Sequence, residues 1–151
     1  MLIPTRFLTL LFSLCFALCT YAQDTLSFAG LWRGELTQIE GGFTDKYHFE
    51  IFLEPGATDG TLSGRSYVQA LNIEGVMTTA GPIRGKMCYL TEGDVLRSRK
   101  PTNMAWCIKT MQLRLTKREG EWWLEGPWQG VSEYGSCPPG MVRLKKIVPR
   151  V

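Results

Sequence analysis

Histidine is nearly missing from this chain: His48 is the one copy in 151 residues. Histidine is the side chain whose ordinary pKa lies near neutrality, so one copy leaves little room for imidazole-based acid–base catalysis or zinc binding. The sequence also lacks a C-x-x-C pair, a G-x-S-x-G nucleophile turn, a phosphate-cradling glycine loop and a dinucleotide-binding glycine fingerprint. Those absences remove the commonest routes to redox, hydrolytic and nucleotide chemistry. A strong charge of one sign is missing as well. The 17 Lys and Arg against 14 Asp and Glu are too even for a nucleic-acid or polyanion surface. The apolar run Phe7 to Cys19 has 13 residues, short of the roughly 20 that a membrane-spanning helix needs.

That run follows the basic Arg6 and ends in Thr20-Tyr21-Ala22, with small residues at the first and third positions, the layout of a cleavable export signal. Leu14 and Leu18, not small residues, precede Cys15 and Cys19, which argues against lipoprotein processing. Residues 1–22 are read as a signal peptide and residues 23–151 as a single domain of 129 residues. That domain has no N-x-[ST] sequon and no retention or peroxisomal tail, so the expected location is a bacterial periplasm or the exterior, with no stable membrane span. Cys88, Cys107 and Cys137 remain after cleavage, enough for one disulfide and one free thiol.

Glycine, tryptophan and period-two alternation are what the domain has in quantity. All 16 glycines and all five tryptophans follow residue 22. Alternation predicts eight strands, at Gly30–Ile39, Lys46–Glu54, Thr61–Gln69, Leu71–Thr79, Ile83–Glu92, Cys107–Lys117, Glu121–Gly130 and Gly140–Ile147. The second is the cleanest: Tyr47, Phe49, Ile51 and Leu53 point one way, and His48, Glu50, Phe52 and Glu54 the other. Gly81-Pro82 reads as the break between the fourth and fifth strands, and residues 93–106 as a long loop. With no crossover helix, the fold class is all-β, and eight amphipathic strands in series close most simply into an antiparallel up-and-down barrel, with an open sandwich as the runner-up. Glycines at 34, 64, 75, 85 and 126 suit sharply bent strands. Pro127 requires a bulge or an open ladder.

Strict up-down alternation puts the turns at 55–60, near 80 and at 118–120 at one end of the barrel. The loops around Gly41-Gly42, at 93–106 and at 131–139 fall at the other, elaborated end. Cys107 and Cys137 both reach the elaborated end, while Cys88 lies about four residues inside the fifth strand. A Cys107–Cys137 disulfide is therefore expected.

The stretch Phe28-Ala29-Gly30-Leu31-Trp32-Arg33-Gly34 opens the first strand with a G-x-W element. On this element and the eight-strand pattern the chain resembles the calycin barrels, of lipocalin and avidin type. The resemblance implies structural roles for Gly30 and Trp32, and a site for a small, usually apolar ligand inside or at the mouth of the barrel. It also implies a basic side chain near the last strand, Lys146 or Arg150, packed on Trp32. The biotin-binding constellation of avidins does not align, so biotin is not implied. Gly126-x-Trp128-x-Gly130 echoes the first motif. Its glycines make room for an indole in a curved sheet, and Trp128, near the open end, is placed to wall a ligand.

Few residues offer chemistry. His48 shares the outer face with Glu50 and Glu54. Glu92 with Asp94, and the basic cluster Arg97, Arg99 and Lys100, fall at or in the long loop and are expected to be solvated. No enzymatic activity, cofactor or metal is expected. Parity sends Trp32, Leu36, Phe49, Met87, Met111, Trp122 and Leu144 inward, among others. Toward the mouth it adds the polar Gln38, Tyr47, Thr91 and Lys109, with Tyr89 slightly deeper. These five and Trp128 are the candidate ligand-binding residues. Two functions follow: an exported barrel that holds a small apolar or amphipathic molecule, or a filled-core, non-enzymatic module that meets an extracellular protein through its loops. A fully packed interior would remove the first.

Overall fold

The computed structural model describes residue 25 and residues 27–149. The expected signal peptide and Arg150 lie outside the described residues. The strands are β1 (Gly30–Thr37), β2 (Lys46–Pro55), β3 (Thr61–Ala70), β4 (Ile73–Arg84), β5 (Met87–Arg99), β6 (Ile108–Arg118), β7 (Glu121–Ser132), β8 (Gly135–Ser136) and β9 (Gly140–Ile147). Each of β1 to β7 pairs antiparallel with the next, and β9 lies between β7 and β1. Eight strands thus close an up-and-down barrel without a free edge. The two-residue β8 folds back on the end of β7.

Turn chemistry separates the two ends. Residues 56–60, Gly85-Lys86 and Glu119-Gly120 close one of them. Glu119 and Gly120 have φ of 51° and 79°, the paired positive angles of a two-residue hairpin that follows strand twist. The other end carries residues 38–45, 100–107 and 133–139 beside the short Leu71-Asn72 turn.

Toward the closed end the alternation packs Ile51, Leu53, Leu62, Leu90, Leu113, Leu124 and Leu144 into a buried core, each side chain stabilising the fold by roughly 1.5–3 kcal/mol. Trp32 anchors this core. Its Nε1 donates to the Phe28 carbonyl at 2.8 Å, and Lys146 Nζ lies 5.3 Å from its ring centroid while donating to the Ser27 carbonyl. The basic partner of Trp32 is therefore Lys146.

The fourth and fifth strands differ from expectation. Gly81-Pro82 does not break the chain but lies within β4. Pairing to β5 lapses there, with Ala80 opposite Thr91 and Ile83 opposite Cys88 in one unshifted register. The Tyr89 carbonyl oxygen occupies the space a Cβ at Gly81 would need, and Pro82, which has no N–H to donate, sits in the gap. Gly126-Pro127 repeats the arrangement: β6–β7 pairing stops between Met111↔Trp128 and Arg114↔Glu125, and the Gln112 carbonyl oxygen takes the place of a Gly126 Cβ.

Because β4 continues, the hairpin turn moves to Gly85-Lys86, and the inward set on β5 is Cys88, Leu90 and Glu92. Met87, Tyr89 and Thr91 face outward instead. Tyr89 is covered by Arg84, whose guanidinium carbon lies 5.4 Å from the ring centroid, and Thr91 is exposed. β5 also runs on to Arg99, so residues 93–99 are strand where a loop was expected. Arg97 and Arg99 there face Glu74 of β4 at 3.9 and 3.3 Å.

Candidate functional site

The apolar cluster continues to the open end through Leu36, Val68, Ile73 and Trp128, with Met104 and Trp106 packed against it, but does not fill the space there. A cavity of about 580 Å³ lies there, within the size range of small-molecule sites. Leu36, Val68 and Ile73 line it from the strands, Met104 and Trp106 from the 100–107 loop, and Phe43 and Tyr134 at the rim. Cys107 and Cys137 are joined and form part of the wall, so the disulfide ties the 100–107 loop to the segment before β9.

Four of the six candidate residues line this cavity: Gln38, Tyr47, Lys109 and Trp128. Tyr89 and Thr91 are not among them, because the parity of β5 turns them outward. The four are held by bonds to the protein itself. Gln38 Nε2 donates to the Pro138 carbonyl at 2.9 Å, and the Tyr47 hydroxyl donates to Gln38 Oε1 at 2.9 Å. Burial pushes the Tyr47 phenol above its ordinary pKa, against the smaller opposing effect of backbone hydrogen bonds at Thr44 and Phe43, which keeps it a neutral donor. Trp128 Nε1 donates to the Thr37 carbonyl at 2.8 Å, and Trp106 Nε1 to Ser98 Oγ at 2.8 Å. The indoles therefore offer the cavity their apolar faces, with their polar edges already occupied.

Beneath the cavity is a polar group expected in solvent and found buried. Glu92 is buried and accepts from Ser66 Oγ through Oε1, and from Lys109 N at 3.0 Å through Oε2. Lys109 Nζ reaches Glu92 Oε2 at 2.8 Å and the Cys107 carbonyl at 3.1 Å, and lies 5.7 Å from the Phe49 ring centroid. Asp94, two residues on, is exposed. The frame of Cys88 and Leu90 would have turned Glu92 inward, but the fifth strand is apolar at both parities and sequence gave no means of choosing. Trp106 and Met104 were missed for a different reason: loop side chains follow no period, and the adjacent Cys107 is the one local hint.

His48 stays on the outer face, paired with Glu50 at 2.8 Å. Among the described residues, no group of three or more His, Cys, Asp or Glu side chains could hold a metal ion. The fold and site define a class: a closed eight-stranded barrel, filled toward one end and hollow at the other. This architecture is consistent with a calycin-like fold. No family model matches the chain, and neither a curated protein nor a solved structure matches it.

Proposed function

We propose that this protein is a non-enzymatic binding barrel that holds a small, largely apolar molecule in its open end. The observation that carries the proposal is the cavity of about 580 Å³ whose inner polar side chains, on Gln38, Tyr47, Lys109 and Trp128, are already bonded to the protein. A cavity of that kind has apolar surface to offer and few unmet polar groups to demand water, which favours an apolar guest. The paired Cys107 and Cys137 fit an oxidising compartment outside the cytoplasm, in keeping with export to a periplasm or the exterior.

Titration with the neutral fluorophore N-phenyl-1-naphthylamine tests the proposal. Saturable fluorescence enhancement at one molecule per chain is expected, accompanied by quenching of tryptophan emission from Trp106 and Trp128. A signal that rises linearly without saturation would overturn it.

A further inference from the structure

The cavity contains one charged residue among those that line it, Lys109. A lone lysine in an apolar pocket would ordinarily mark a receptor for a carboxylate or phosphate. Here the charge is already matched. Lys109 Nζ is held by Glu92 Oε2 at 2.8 Å and by the Cys107 carbonyl at 3.1 Å. The Glu92 side chain has no accessible surface, and that of Lys109 retains 4%. The carboxylate is fixed in turn by Ser66 Oγ and by the Lys109 amide, so it cannot swing away to free the ammonium for a guest.

We infer that the guest is uncharged where it is buried, and that the Glu92–Lys109 pair selects against anionic amphiphiles such as fatty-acid carboxylates. The inference rests on the binding role proposed above and adds the class of ligand. An incoming carboxylate would lose its water and meet a cation whose field Glu92 has cancelled. The inner donors, on Gln38, Tyr47, Trp106 and Trp128, are engaged with protein acceptors, while Asn103, Tyr134 and Ser136 stand exposed at the rim. The one remaining N–H of a lysine whose charge Glu92 already matches would offset little of the anion's desolvation. A neutral hydroxyl or ester loses far less on burial and can still accept a weak hydrogen bond from Lys109.

The test is displacement of N-phenyl-1-naphthylamine at pH 7.4 by decan-1-ol and by decanoate, which share a chain and differ in charge. The wild-type protein is expected to bind the alcohol at least tenfold more tightly. Decanoate binding as tightly as the alcohol, or more tightly, overturns the inference while leaving the binding role standing; failure of the fluorophore and of both ligands to bind overturns both. Glu92→Gln keeps the shape and leaves the ammonium unmatched, so the preference should move at least tenfold toward decanoate, and an unchanged ratio counts against selection by the pair. The doubly neutral variant Glu92→Gln/Lys109→Met separates the roles should the single change fail to fold. It should keep the preference for the alcohol, whereas a tenfold loss of decanoate affinity would reveal Lys109 as an anion receptor and overturn the inference.

Discussion

Lys109 of β6 and Glu92 of β5 meet inside the barrel at 2.8 Å, Nζ to Oε2, with almost none of either side chain accessible to solvent. Their pairing lets a largely apolar sheet interior hold two charges at the base of a cavity. Removing one partner leaves the other buried and unmatched. Lys109→Met alone should cost about 3–5 kcal/mol of stability, and Glu92→Leu/Lys109→Met should recover most of the loss. Urea unfolding of the two variants beside wild type measures both effects. Similar losses in the single and double variants would mean that packing, not charge, dominates the site.

The two Gly-Pro pairs make a second prediction. A side chain at Gly81 or Gly126 would collide with the carbonyl oxygen of Tyr89 or Gln112 on the neighbouring strand. Gly81→Ala and Gly126→Ala should each destabilise by about 1–3 kcal/mol or more, whereas Gly60→Ala, where no atom lies within 4 Å but φ is +74°, should cost about 1 kcal/mol from backbone strain alone. Thermal melts of the three variants rank them.

The Cys107–Cys137 bond closes a loop with a sequence separation of 30, for which chain entropy predicts a stabilisation of about 3–4 kcal/mol. Cys107→Ser/Cys137→Ser should fold with correspondingly lower stability and bind N-phenyl-1-naphthylamine more weakly, because the 100–107 loop that forms one wall loses its tie. Retained affinity would assign the disulfide to stability alone.

Burial pushes the Cys88 thiol from its ordinary value of 9.0 up to about 12, an effect only partly offset by hydrogen bonds from its own backbone and that of Leu113. In the folded protein at pH 8 it should resist a thiol-reactive disulfide reagent, and should react once guanidinium unfolds the chain. Linkage has a definite sign here. The folded state holds this proton more tightly than the unfolded state, so the contribution is present below pH 9 and is lost as pH rises toward 12. Cys88→Ala should flatten that part of the stability profile.

Most of the fold was legible because period-two alternation is local. Tyr47, Phe49, Ile51 and Leu53 identify the inner face of β2 without outside help, and the turns sort the loops between the two ends. Gly81-Pro82 and Gly126-Pro127 look alike in sequence, yet the flanking residues suggest a break at the first and a strand through the second. Both are tolerated because a neighbouring carbonyl fills the glycine's open side and the ladder opens at the proline, and that depends on a partner strand. Tyr89 and Thr91 entered the candidate site and Glu92 stayed out because Met87 and Tyr89 on one face, and Cys88 and Leu90 on the other, make the fifth strand apolar at both parities. Tyr47, Lys109 and Trp128 were legible because their strands alternate cleanly, and Gln38 because it carries the alternation of β1 one residue past the strand's end.

The central claim is that the open-end cavity is where a guest resides. Val68 lines that cavity from β3, and Val68→Trp would fill part of it with an indole. The most direct measurement is the dissociation constant of N-phenyl-1-naphthylamine for wild type and for Val68→Trp, with circular dichroism confirming that the variant is folded. Saturable binding by wild type, weakened at least tenfold in the filled variant, is the predicted result; equal affinity in the two proteins would place the guest elsewhere and contradict the account.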